Sequence, residues 1–128
     1  MTINHFEDLE IWQDARSLCK SINELTRIAP FCNDFRFRDQ IKSSSGSIMD
    51  NIAEGFGRGG NKEFTQFLSI AQGSCSETKS QIYRAFDYEY INEATQNDLL
   101  DKTGKLSGKI SNFMTYLKNS DLKGRKYK

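Results

Sequence analysis

Four apolar stripes, each at helical spacing and each closed by a turn signal, constrain this chain more than any other feature. Ile11, Ala15, Leu18, Ile22 and Leu25 recur at alternating four- and three-residue steps, which puts them on one face of a helix. Trp12 and Cys19 widen that face. The spacing predicts a helix from about Asp8 to Ile28, with Asp8 as N-cap and Pro30 as its stop, because a proline ring cannot continue the ladder. A second helix is predicted from near Asp34 or Arg36 to about Gly57. Its stripe is Phe37, Ile41, Ile48 and Ile52, interrupted by Ser44, Ser45 and Ser47, small residues that let a neighbouring helix come close. Gly55, Gly57, Gly59 and Gly60 then stop the helix and form the turn.

Asn61 is the predicted cap of a third helix running to about Tyr90. Its stripe is Phe64, Phe67 or Leu68, Ala71, Cys75, Thr78, Ile82, and Ala85 or Phe86. A fourth helix follows Asn92, again a cap candidate, and Leu99, Thr103, Leu106, Ile110, Phe113 and Leu117 repeat the rhythm. Gly104 and Gly108 fall inside this pattern. Each costs up to ~1 kcal/mol against alanine, which makes this the helix expected to fray first.

Short connections between four amphipathic helices favour antiparallel neighbours, so the expected fold is all-α, an up-down-up-down four-helix bundle. A chain of 128 residues fits one domain. Residues 1–119 are assigned to the bundle and 120–128 to a basic C-terminal tail. No run approaches the ~20 apolar residues of a membrane span, and the N-terminal residues lack a signal-peptide pattern, so no membrane association and a cytoplasmic location are expected. Cys19, Cys32 and Cys75 cannot all pair with one another. They are read as reduced structural thiols, Cys19 and Cys75 lying among apolar helix positions.

The residues that chemistry would need are sparse. His5 is the single histidine and precedes the first helix. A di-metal carboxylate bundle takes a Glu-x-x-His pair from each of two helices, and zinc needs more histidines or paired cysteines, so no metal site and no cofactor are expected. Gly55-Phe56-Gly57-Arg58-Gly59-Gly60 matches G-x-G-x-x-G literally, but it follows a helix where the dinucleotide motif requires a strand. Serines are abundant, yet no histidine is placed to activate one. No catalytic residue is therefore assigned, and the chain is read as non-enzymatic.

What remains is a polar stripe. Ser47, Asn51, Glu54 and Arg58 share one face of the second helix, and Ser74, Glu77, Gln81 and Arg84 share one face of the third. Folding the pair antiparallel places Ser47 near Gly73 and Ser44 near Ser76 or Glu77, with Gly73 and Ser74 facing Ser44 and Ser47 in a small-residue seam. Glu54 precedes Arg58 by four residues, the favourable order for a helix ion pair. Two readings stay open. The polar groups satisfy one another and fix helix register, or Asn51, Glu54, Arg58 and Glu77 form a partner or subunit surface. Arg58 and Lys62 flank the start of the third helix, where an anion is favoured, and Lys118, Lys123, Arg125, Lys126 and Lys128 gather charge around Tyr127. Arg58, Lys62, Lys123, Arg125 and Lys126 are thus the candidate phosphate contacts. The net charge of +1 gives no overall basic excess, so nucleic-acid contact would rest on local patches or on an oligomer that multiplies them.

Ser47-Ile48-Met49-Asp50-Asn51-Ile52-Ala53-Glu54-Gly55-Phe56-Gly57-Arg58, taken with Phe6-Glu7-Asp8-Leu9-Glu10-Ile11-Trp12-Gln13-Asp14-Ala15, closely resembles the four-helix bundle proteins of the 23S rRNA intervening-sequence family. Glu63-Phe64-Thr65-Gln66-Phe67-Leu68-Ser69-Ile70-Ala71-Gln72-Gly73-Ser74, then Glu77, and Tyr90-Ile91 extend the likeness, which spans Phe6 to about Leu117. The resemblance implies four antiparallel helices, often assembled as a homopentamer. Some members are encoded within insertions in large-subunit ribosomal RNA genes. A related branch serves diversity-generating retroelements as a basic pentameric accessory protein that binds nucleic acid and reverse transcriptase. This chain departs from that branch in being nearly neutral, and the family carries no catalytic residues across. The expected role is an oligomeric RNA- or ribosome-associated module. The alternative is an oligomeric protein–protein scaffold, using the polar seam or exposed aromatics such as Tyr83, Tyr88 and Phe56.

Overall fold

The computed structural model describes residues 3–121. Four helices carry the chain: α1 (Glu10–Leu25), α2 (Phe35–Gly57), α3 (Asn61–Asp87) and α4 (Glu93–Asp121). Single 3-10 turns precede α1 (Phe6–Asp8) and α2 (Phe31–Asn33). Cross-helix partners descend in one helix as they climb in the next. Ser44 meets Thr78 while Ser47 meets Ser74, and Asn61 meets Leu117 while Gln72 meets Ser107. Neighbours are therefore antiparallel, and the architecture is the four-helix bundle expected from the stripes.

The stripes become the core. Ile11, Ala15, Leu18 and Ile22 of α1, Phe37, Ile41, Ile48 and Ile52 of α2, and Leu99, Leu106, Ile110 and Leu117 of α4 are all buried. In α3, Leu68 rather than Phe67 and Ala85 rather than Phe86 take the interior positions. Phe56 is half-buried against Phe64, with ring centroids 6.0 Å apart, so it is packing and not an exposed docking aromatic. Between α1 and α4 the Lys109 ammonium bridges Glu10 and Asp14, at 2.5 and 2.7 Å. The Asp14 hydrogen bond, followed by that to Glu10, raises the lysine's pKa.

Several predicted ends move. Asp8 is not the cap of α1. It closes a 3-10 turn, and buried Leu9 occupies the cap position without a side-chain bond. Phe6 packs edge-on against Trp12, with centroids 5.1 Å apart, so apolar contact sets the entry here. The helix ends at Leu25, ahead of the expected Ile28, where Thr26 turns its hydroxyl back to the Asn23 carbonyl at 2.8 Å. Asn61 is not a cap either. Gly60 holds that place, and the Asn61 amide lies buried inside the helix, donating to the Leu117 carbonyl at 3.1 Å. Asp34 and Asn92 do cap, accepting from the Phe37 and Thr95 amides at 3.2 and 2.8 Å.

The third helix stops at Asp87, short of Tyr90. Glu89 sits at φ 64°, the Tyr90 amide bonds the Ala85 carbonyl, and the Glu89 amide bonds that of Phe86. This is a Schellman closure with glutamate in the left-handed position that glycine usually fills. Gly55, expected to help stop α2, lies within it. A Cβ there would come 2.6 Å from Phe67 Cβ and 2.9 Å from Phe64 Cδ1, so this glycine admits α3 at close range. Gly59, at φ 85°, makes the turn itself.

Candidate functional site

The polar stripe folds into two short hydrogen-bond chains across the α2–α3 seam. Thr78 Oγ1 donates to Ser44 Oγ at 3.0 Å, Ser44 donates to Gln81 Oε1, and Gln81 Nε2 reaches Glu77 Oε2 at 3.5 Å. About one turn toward the glycines, Ser74 Oγ and Asn51 Nδ2 both donate to Ser47 Oγ, each at 2.9 Å. The Asn51 amide also bonds the Ser47 carbonyl at 2.8 Å. Ser44, Ser74, Thr78 and Gln81 are buried, and a buried polar group is tolerated because it has partners. The expected register is off by one or two residues. Ser74, not Gly73, faces Ser47, and Thr78, not Ser76 or Glu77, faces Ser44. Gly73 lies exposed, with open space where its Cβ would be.

The four candidate surface residues do not form one cluster. Arg58 binds Glu54 at 2.9 Å and lies 5.1 Å over the Phe67 ring, close to the α2–α3 turn. Asn51 is spent on Ser47. Glu77 lies beside Ser44, ten residues or about 15 Å along α2 from Glu54. There it lines an open polar groove of about 750 Å³ with Asp39, Gln40, Ser43 and Arg84. Lys62 is exposed in the first turn of α3, on a separate and mainly apolar cleft of about 410 Å³ with Met114, Leu117 and Lys118. Arg58 and Lys62 thus flank the turn as expected, but the Arg58 charge is already met by Glu54. Lys123, Arg125 and Lys126 lie outside the described residues.

At the opposite end of the bundle, an aromatic cluster ties the two loops together. Phe31 stacks on Phe37 and Tyr90, and Tyr88 meets Phe37 and Tyr90 edge-on. Tyr90 donates its hydroxyl to Asp34 at 2.7 Å. That bond, then the Phe37 amide, and more weakly Arg84, hold the Asp34 carboxyl below its ordinary pKa. The same bond pushes the Tyr90 phenol up. Arg84 lies 4.2 Å over the Phe37 ring and donates to Gln40 Oε1 at 3.0 Å. Gln40 and Arg36 escaped the sequence reading, although they extend the α2 polar stripe back by the same four- and three-residue steps.

His5 is exposed ahead of the first turn, far in sequence from the seam serines. Among the described residues no group of three or more His, Cys, Asp and Glu is placed to hold a metal ion. Cys19, Cys32 and Cys75 are free thiols, and burial pushes Cys75 up to about 11, which keeps it protonated and unreactive. No helix among the described residues is long and apolar enough to cross a membrane.

No curated protein sequence matches the chain. A crystal structure of a protein of unknown function from the S23 ribosomal protein family of Bacteroides thetaiotaomicron superposes with a TM-score of 0.75 at 19% identity, covering 82% of this chain and 95% of that one. At that identity the likeness shows a shared fold. The model of the family described as 23S rRNA-intervening sequence protein matches residues 7–112, nearly the whole bundle. By that match, the chain belongs to the 23S rRNA-intervening sequence protein family.

Proposed function

We propose that this protein is a non-catalytic, oligomeric module associated with RNA or the ribosome. The observation that carries the reading is the family match over residues 7–112, which ties the bundle to proteins named for ribosomal RNA insertions. The assembly is a homo-oligomer, a pentamer by the resemblance of its sequence motifs, and works in the cytoplasm without a cofactor. Asn51, Glu54, Arg58 and Glu77 contribute to a subunit or partner surface in two separate places, one by the α2–α3 turn and one in the polar groove. Lys62 and the tail residues Lys123, Arg125 and Lys126 contact phosphates, and Arg58 joins them by exchanging Glu54 for the anion. With a net charge of +1 on each chain, repetition of these patches around an oligomer supplies the avidity that one copy lacks. Crosslinking in cells, followed by sequencing of the recovered RNA, tests this directly. Enrichment of ribosomal RNA is the expected result, and recovery of protein alone contradicts it.

A second reading, a protein-binding scaffold, is favoured by one observation. Ile28, Phe35, Ile70, Tyr83 and Tyr88 are large apolar residues that stand at 47% exposure or more. It expects a protein partner in a pull-down that is lost when Tyr83 is changed, with helicity unaltered. It expects no ribosomal RNA.

A further inference from the structure

We infer that the cleft between the start of α2 and the end of α3 holds one phosphate of a single-stranded RNA, with an adjoining base laid against Tyr88. This deepens the proposed function and rests on its RNA reading. Asp34, Arg36, Phe37, Gln40, Arg84 and Tyr88 line the cleft, whose volume is about 330 Å³. A phosphate and part of one nucleotide fill such a space.

The described arginines differ in how their charge is met. Arg38 and Arg58 are each neutralised by a carboxylate, Asp39 at 3.0 Å and Glu54 at 2.9 Å. Arg16, Arg27, Arg36 and Arg84 have no ion pair among the described residues, and of these four Arg36 and Arg84 face this cleft together. Arg84 is held over the Phe37 ring, 4.2 Å from its centroid, and donates to Gln40 Oε1, so one of its amino groups is committed and its position is fixed by two contacts. A planar guanidinium fixed in this way loses little freedom on meeting a phosphate. Asp34, the one carboxylate in the cleft, has its oxygens engaged by the Tyr90 hydroxyl and the Phe37 amide. Two guanidiniums against one carboxylate leave the cleft cationic.

Tyr88 supplies the second half of the recognition. The residue is 49% exposed and its ring is braced edge-on by Phe37 and Tyr90, so a base can stack on it without reordering the cluster. Bases that are already unstacked meet such rings, which selects single strands over duplexes. Beyond Gln40 and Arg84 the cleft continues into the polar groove with Asp39 and Glu77. Those carboxylates repel a second phosphate, which limits the site to one.

The test titrates the full-length protein into a short fluorescein-labelled single-stranded oligoribonucleotide, read by fluorescence anisotropy over a salt series. Arg36→Gln is expected to weaken binding about tenfold and to flatten the slope of log affinity against log salt by about 0.7, the share of one phosphate on a single strand. Tyr88→Leu is expected to weaken it about tenfold with the slope unchanged, because stacking is not ionic. Arg84→Lys keeps the charge but loses the planar fork, and it too is expected to weaken binding. Should that variant melt early by circular dichroism, the two exposed positions still decide. If the parent binds and Arg36→Gln and Tyr88→Leu bind equally well, the cleft is excluded while the RNA reading stands. If the parent does not bind at low salt, both fall. If inorganic phosphate displaces the strand and Tyr88→Leu has no effect, the cleft serves a free phosphate and the RNA assignment is overturned.

Discussion

The Ser74 hydroxyl lies 2.9 Å from that of Ser47, joining α3 to α2 at a point where two apolar side chains would hold the helices further apart. With Ser44 and Thr78 about one turn away and Gln81 two, this contact fixes how α2 and α3 slide against each other. Ser44 is the node of the inner chain, accepting from Thr78 and donating to Gln81. Ser44→Ala leaves both partners buried without it, at a cost of roughly 1–3 kcal/mol. Urea unfolding should show that loss, and Ser44→Ala with Thr78→Val should cost less than the two changes added separately. Strict additivity would mean the hydroxyls do not form a network.

Gly55→Ala is expected to destabilise the fold by roughly 1–3 kcal/mol, since the new methyl collides with Phe67 Cβ and Phe64. Gly104→Ala and Gly108→Ala are expected to do the reverse. Their Cβ positions are open, and each replacement stabilises helix α4 by about 0.5–1 kcal/mol. Thermal melts of the three single variants make the comparison. A melting point for Gly55→Ala at or above the parent's would show that α2 and α3 are not in close contact at the turn.

Glu89→Gly is expected to raise stability by up to about 1 kcal/mol. It relieves the left-handed strain at φ 64°, offset in part by the added freedom of the unfolded chain. Glu89→Ala retains that backbone strain and should give no such gain. Equal melting points for the two variants would contradict the Schellman geometry.

The Asp34–Tyr90 bond makes a pH prediction. The folded-state pKa of Asp34 is lowered, so its stabilising contribution is present above the unfolded value of 3.8 and is lost as pH falls through the folded value. Unfolding curves of the parent should therefore show a loss below about pH 4 that Asp34→Asn lacks. Tyr90→Phe should remove most of the same dependence, because its hydroxyl is the first cause of the shift. If all three titrate alike, the bond does not persist in solution.

The apolar periodicity made the helices and nearly all of the core legible, and the Glu54–Arg58 pair followed from spacing alone. The polar seam was readable as a surface shared by α2 and α3 to within two residues. Its exact partners were not, because antiparallel register depends on how closely the turn lets the helices approach, and Gly55 does that work from inside the helix. Helix ends were less readable. Asp8 and Asn61 have cap chemistry, but tertiary contacts of Phe6 with Trp12 and of Asn61 with Leu117 decided their places. Glu89 adopts a conformation its residue type seldom takes, so no local signal marks it. The Arg36–Arg84 cleft needs residues nearly fifty positions apart to meet across an aromatic cluster, which single-sequence spacing does not reveal.

Retention of purified ribosomal RNA by the full-length protein, measured across a range of salt concentrations, tests the proposed role most directly. Binding at low ionic strength is expected, with log affinity falling linearly against log salt as phosphate contacts release counterions. Absence of retention at the lowest salt, with the protein folded and oligomeric by light scattering, would contradict an RNA-associated function.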